Sequence, residues 1–233
     1  MLIWSVLGRR QQVKCLQVGA HDGRTGDHLC ELRSAPRWTS YLLEPNPAIL
    51  PILRLNTLQE AGTKILPFAL APQAGRLDLW TVHTERLPND LKRRLDFTQI
   101  SALDRGKVAG ELKALIDGAE IPDEWIAATS VDVITWDILF SQHVNGVPDC
   151  VLIDAEGQDA GLLLAFPFSK GLPGVLVFEY LWMTAEEVRD VTHRLRVEGY
   201  VLVSVGQDTV AIHKTSLEQL YHDHMLHPSS ETV

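Results

Sequence analysis

Residues 15–32 read CLQVGAHDGRTGDHLCEL, and the fold turns on how this stretch divides. "CLQV" continues an apolar run that begins at Lys14, "GAHDG" (19–23) breaks it with small and polar residues, and a stretch of helical character follows. Continuous rather than alternating apolarity marks a strand buried on both faces, the habit of parallel sheets covered by helices. Five more runs of this kind recur: SYLLEP (40–45), KILPFAL (64–70), DCVLIDA (149–155), GVLVFEY (174–180) and YVLVSVG (200–206). Helical stretches separate them: GDHLCELRSA, NPAILPILRLNT, GQDAGLLLAF and TAEEVRDVTHRLRVEG. The last has a defined start and stop, with Thr184 as N-cap, Glu186 and Glu187 in the first turn, Val188, Val191 and Leu195 at helical spacing, and Gly199 at the end. Strand, helix, strand repeated predicts an α/β fold with a doubly wound, mostly parallel sheet. GRLDLWTV (75–82) and DTVAIHKT (208–215) leave no room for a preceding helix and read as antiparallel additions, the second closing a C-terminal hairpin with YVLVSVG.

The chain of 233 residues, 45% hydrophobic, supports one large domain with a full core, so residues 1–233 are read as one unit. Residues 85–128 are charged and carry no buried-strand signal, and are read as a partly helical insertion, either a lid or substrate wall or a solvated loop. A formal charge of −9 and a pI near 5.4 argue against nucleic-acid phosphates or an anionic membrane as the main partner. Cys15, Cys30 and Cys150 lack the paired spacing of a zinc or redox motif and read as reduced thiols of a cytoplasmic protein. MLIWSVLGRR reverses the charge order of a signal peptide, is too short to span a bilayer, and reads as a packed turn. The tail YHDHMLHPSSETV offers His222, His224 and His227, read as a frayed terminus rather than a metal site.

In an open α/β sheet, ligands bind outside the carboxyl ends of the strands where the strand order reverses, and the turn after the first strand lies there. Gly19 and Gly23 let the backbone turn sharply, while Asp27, or Gly26 before it, is placed to start a helix whose amides face the pocket. A dinucleotide fingerprint would read G-x-G-x-x-G. Here the middle glycine is missing and Asp22 stands where phosphate oxygens would lie, which disfavours a pyrophosphate and suits a ligand with a positive centre. Glu44, about 20 residues past the glycine turn, is placed to accept both hydroxyls of a ribose. An adenosine cofactor without phosphates fits both features, and S-adenosylmethionine is the common one.

With these blocks in order the chain resembles the FkbM family of S-adenosylmethionine-dependent methyltransferases from about Cys15 to Lys214. LQVGAHDGRTGD resembles the first cofactor motif, YLLEPNP the ribose-acid block, PFAL the third-strand end and VDVITWDIL the segment before the fourth strand. VLIDAEGQDAGLL resembles the I-D-x-E-G-x-D block, VLVFEY the fifth strand and GQDTVAIH the closing hairpin. The resemblance implies a Rossmann-like class I methyltransferase fold. It implies that Gly19, Ala20, His21, Asp22 and Gly23 surround the methionine part, that Glu44 beside Pro45 takes the ribose, and that Asn46, Phe68 and Ala69 lie near the adenine. His21 stands where the family often has Asn, and 85–128 matches poorly apart from QISALDRGKV. The activity it implies is O-methylation of a small-molecule acceptor, a hydroxyl on a sugar or secondary-metabolite scaffold in natural product biosynthesis.

Methyl transfer from a sulfonium is an in-line substitution, so alignment supplies much of the catalysis, but a hydroxyl acceptor also needs a proton acceptor. Asp154, followed by Ala155 and Glu156, closes the fourth strand, and Glu179 closes the fifth, so these acids should face the crevice of "GAHDG". Asp154 is the first candidate for base or orienting group, against a helix-capping acid at the Gly157 turn; Glu179 is a candidate for acceptor binding, against a solvated strand-end acid. His21 is the other candidate base, against a wall of the cofactor pocket. Asp154 with Glu179 resembles the Mg²⁺-binding carboxylates of catechol O-methyltransferases, but no third ligand is evident and no metal is assigned. Gln99, Ser101, Asp104 and Arg105 are candidate acceptor contacts, against a solvated turn. Trp136, Trp182 and Phe178 read as pocket walls or as packing. The rival classes are a dehydrogenase, which would need the missing phosphate cradle, and a non-catalytic S-adenosylmethionine- or nucleotide-binding α/β protein.

Overall fold

The computed structural model describes residues 2–7, 10–27, 29–94, 97–116, 118 and 120–226. The chain begins with α1 (Leu2–Leu7), β1 (Val13–Val18), α2 (Cys30–Arg33), β2 (Trp38–Leu43), α3 (Leu50–Asn56), β3 (Thr63–Leu66), β4 (Ala69–Leu70) and β5 (Gly75–Val82). A middle section follows with α4 (Asn89–Arg94), β6 (Ser101–Ala102), α5 (Arg105–Leu115), β7 (Ile126–Ile134) and α6 (Trp136–Ile138), which runs on into a π-helical turn, Leu139–Val144. The last third holds β8 (Cys150–Ile153), α7 (Asp159–Leu164), β9 (Val175–Glu179), α8 (Ala185–Val197), β10 (Tyr200–Val205), β11 (Asp208–His213) and α9 (Lys214–Leu226).

Seven strands form one sheet in the order β10-β11-β9-β8-β1-β2-β3, in which β11 runs antiparallel to both of its neighbours and the remaining pairs are parallel. Alternation explains the continuous apolar runs. Val151 and Ile153 of β8, with Leu176 and Phe178 of β9, pack under α6, α7 and α8 on one face, while Cys150, Leu152, Val175 and Val177 pack against α1 and α9 on the other. α8 starts as its sequence requires: Thr184 accepts from the Glu187 amide and Glu187 accepts from the Thr184 amide, a complete capping box. The three cysteines are free thiols. No helix among the described residues is long and apolar enough to cross a membrane.

The structure corrects several boundaries. KILPFAL is two strands, because Pro67 cannot continue the ladder: β3 stays in the large sheet and β4 pairs with β7 in a second sheet of order β4-β7-β5-β6. GRLDLWTV is antiparallel as expected, but its partner is β7, over Gly75–Val82 against Ile126–Val133. Residues 85–128 are not strandless, since β6 and the start of β7 lie within them, and they bury a cluster of their own around Phe97, Val108 and Leu112. MLIWSVLGRR carries a helix, α1, that buries Ile3 and Leu7. The tail is helical as far as Leu226; the side chain of His224 and all of His227 lie outside the described residues.

Candidate functional site

Strand order reverses at β1, between β8 and β2, so the crevice at the carboxyl ends of β1 and β8 is the topological switch point. Two backbones nearly touch there. Gly19 has φ +81°, and a Cβ built on it would fall 1.8 Å from the carbonyl oxygen of Asp154. The amides of Gly19 and Ala20 both donate to the Leu43 carbonyl, which ties the turn to β2 as well.

Glu44 ends β2 in a buried position and accepts two backbone amides, His21 N–H on Oε2 at 2.8 Å and Asn46 N–H on Oε1 at 2.8 Å. Burial pushes its carboxyl above the ordinary value, and those two hydrogen bonds oppose the rise. Glu44 thus has fixed geometry and a free lone pair on each oxygen for hydroxyl donors. On one side of it the crevice is lined by Pro45, Phe68, Ala69, Leu70, Leu79 and Leu103, an apolar slot that also meets Ala155 and Gln158. On the other side it is polar, lined by Gln17, Gly19, Ala20, His21, Thr25 and Gly26 together with Gln99 and Ser101 from the insertion. Asp154 and Glu156 line both parts.

The remaining sequence candidates shape the walls. Asp22 accepts the amides of Arg24 and Thr25 and the Thr25 hydroxyl. Burial raises its carboxyl, but these bonds outweigh it and hold Asp22 below the usual carboxylate range. Gly23 gives its carbonyl to the Arg33 guanidinium. Asp27 does not start a long helix: it accepts the Leu29 amide at 2.7 Å and pairs with buried Arg33, and α2 that follows is four residues long. Asn46 is buried and accepts the Ala48 amide at 3.0 Å. Arg105 is engaged away from the crevice, paired with Asp123 and stacked over Trp80 of β5. Trp136 and Phe178 are packing residues of the core, whereas Trp182 is exposed. The acid that caps the Gly157 turn is Asp159, whose Oδ2 accepts the amides of Ala155 and Gly157 at 3.3 Å.

His21 is the residue the wall leaves open. It adopts φ +45°, is largely buried, and neither ring nitrogen has a hydrogen-bond partner; the nearest carboxylate, Asp22, is 3.6 Å away. A buried imidazole in a ligand crevice with both nitrogens unmatched has the donor and acceptor a polar ligand group requires.

Asp154, Glu156 and Glu179 each bring a carboxylate oxygen within 4.8 Å of the others. Glu156, read with them as a strand-end acid, joins the cluster through a turn at φ +47°. A cation of the chain's own already sits beside it, Lys107 Nζ at 3.8 Å, and no metal is assigned. Sequence reasoning missed Lys107 and its i+4 partner Glu111, although their spacing in DRGKVAGEL puts both on one helix face. Burial and neighbouring acids push Glu156 up to about 8, Glu179 to about 7 and Asp159 to about 6. The folded protein therefore keeps protons between pH 5 and 8 that the unfolded chain releases, so its stability falls as pH rises through that window. Melting temperatures across the window should decline, and less steeply in Glu179→Gln; a flat profile would mean that these acids titrate near their ordinary values.

A mostly parallel sheet, its switch point beside β1 and an acid closing β2 define the Rossmann-like fold of class I methyltransferases. The methyltransferase FkbM of Methylobacillus flagellatus KT has this fold, superposing with a TM-score of 0.50 at 13% identity over 87% of this chain and 44% of that one, so the present chain spans less than half of that protein. A putative O-methyltransferase from Klebsiella pneumoniae matches at TM-score 0.46 and 11% identity, covering 91% of this chain and 77% of that one. The Aeropyrum pernix fibrillarin, solved with natively bound S-adenosyl-L-methionine, matches at 0.42 and 11%, covering 91% and 73%. No protein-family model matches the sequence, and no curated protein is significantly similar to it.

Proposed function

We propose that the protein is an S-adenosylmethionine-dependent methyltransferase that methylates a hydroxyl of a small molecule, a sugar or a secondary-metabolite scaffold. The observation that carries this reading is Glu44, a buried carboxylate held by two backbone amides at the end of β2, facing a crevice whose first turn offers no phosphate cradle. In this reading Glu44 takes the ribose hydroxyls and the apolar slot between Phe68 and Leu103 takes the adenine. The methionine end lies along Gly19–His21, where the unmatched imidazole of His21 meets its carboxylate or amine. Asp22, already saturated by its own turn, shapes the loop rather than binding.

The methyl group needs no activation beyond its sulfonium, so the chain's own work is alignment and proton removal. Asp154 stands where both parts of the crevice meet, and Glu179, pushed up to about 7, is matched to accept a hydroxyl proton near neutral pH. Gln99 and Ser101 extend the wall toward the acceptor. Calorimetry tests the cofactor assignment. Glu44→Ala should weaken S-adenosylhomocysteine binding by about 1–3 kcal/mol through loss of charged-acceptor hydrogen bonds. Unchanged affinity would remove Glu44 from the site, and binding of NADH in place of the adenosyl ligand would replace the reading with a dehydrogenase.

A further inference from the structure

Lys107 reaches the turn after β8 from α5, the helix of the inserted segment, whose first turn is capped by Asp104 accepting the Gly106 amide at 2.6 Å. Its ammonium is shielded from solvent without a hydrogen-bond partner, 3.8 Å from Glu156 Oε2, 4.0 Å from Glu111 Oε1 and 4.6 Å from the centre of the Trp182 ring. Its stem fills a notch left by Gly157, since a Cβ at that residue would lie 2.4 Å from Lys107 Nζ and 3.0 Å from Cδ and Cε. Gly157 has φ +87° directly after Glu156 at φ +47°, so two consecutive left-handed residues make the turn that receives the lysine. Nothing in the Glu44 and His21 part of the site accounts for this fit.

We propose that Lys107 is a positioning residue of the site: it fastens the inserted segment over the strand ends by drawing in the Glu156 carboxylate that lines the cofactor crevice. The charges facing that contact are Glu111 on α5, Asp154 and Glu156 in the turn after β8, Asp159 on α7 and Glu179 on β9, with Asp208 of β11 acting on Glu179 from the next strand. All are acids. Lys107 opposes the rise that burial and the other acids impose on Glu156, so it favours the ionised form of that carboxylate. The latch concerns the ligand-free chain; only its effect on turnover rests on the methyltransferase reading.

The test uses Lys107→Met, which keeps the stem and removes the charge, beside Lys107→Arg. Carboxyl carbon-13 NMR of the ligand-free protein, with the Glu156 resonance assigned through Glu156→Gln, should place its titration midpoint about 1 unit higher in Lys107→Met and near wild type in Lys107→Arg. A midpoint that does not move in Lys107→Met overturns the proposal. Should Lys107→Met fail to fold, amide exchange across Arg105–Leu115 in Glu156→Gln decides: faster exchange there than in wild type supports the latch, and unchanged exchange overturns it. S-adenosylhomocysteine affinity followed against pH should lose its acid limb at a higher pH in Lys107→Met. If the wild-type protein binds no S-adenosylhomocysteine while the midpoint still moves, the latch stands and the methyltransferase reading falls.

Discussion

Arg33→Met should destabilise the protein by about 3–5 kcal/mol, the usual loss when one partner of a buried ion cluster is removed and the other charges stay buried. Arg33 is 1% exposed; its Nε donates to Glu60 at 2.9 Å, one terminal nitrogen pairs with Asp27, and the other donates to the Gly23 carbonyl at 2.7 Å. Methionine fills the space but leaves Asp27 without an ionic partner and Glu60 with Arg24 alone, at 3.9 Å. For a chain of this length the melting temperature should drop by about 6–20 °C. On the methyltransferase proposal, S-adenosylhomocysteine affinity should fall as well, because the guanidinium holds the loop that carries His21. Adding Asp27→Asn and Glu60→Gln should recover much of the stability without the affinity. A single variant melting within about 1 °C of wild type would mean that the cluster contributes nothing net.

Gly19→Ala should be as damaging for a steric reason. The new methyl group would meet a backbone carbonyl 1.8 Å away, and a main-chain atom cannot swing aside as a side chain can. The β1 to β8 pairing must open at Val18 and Ile153, or the turn must abandon its left-handed conformation. A loss above about 4 kcal/mol, the range of exceptional single substitutions, is expected, with no measurable adenosyl binding in any folded fraction. Gly161→Ala is the control. It lies in α7 with nothing near its Cβ, and should stabilise the protein by up to about 1 kcal/mol. Chemical denaturation of the two variants side by side reads both signs, and a Gly19→Ala protein as stable as its control would refute the clash.

The large sheet was legible in the sequence because strands buried on both faces leave unbroken apolar runs: β8 and β9 sit inside the runs that announced them, and β1 and β2 begin one and two residues before theirs. β10 also lies in its run, but as an edge strand with Val201, Val203 and Val205 exposed rather than buried on both faces. Of the second sheet, β5 was read as the antiparallel strand GRLDLWTV, while β6 and β7 were not. Much of β7 faces solvent, so Ala127–Ser130 alternates too weakly to stand out from a loop. Glu44 could be placed by its distance from the glycine turn, a spacing within one strand–helix–strand unit. Glu179 could be placed beside Asp154 and Glu156 because all three close adjacent strands. Lys107 could not: it approaches Glu156 from a segment about 50 residues upstream, a separation at which only the tertiary path of the chain decides proximity.

The second sheet carries a further consequence. Phe97, Val108 and Leu112 bury their side chains among themselves rather than in the main core, so the plate over the crevice has cohesion of its own. Such a unit opens as a piece: its amides should exchange together, at a lower free energy than those of β1 and β8. The plate and the crevice at the ends of β1 and β8 then answer to separate folding equilibria, and substitutions within the plate should leave the stability of the β1–β8 turn unchanged.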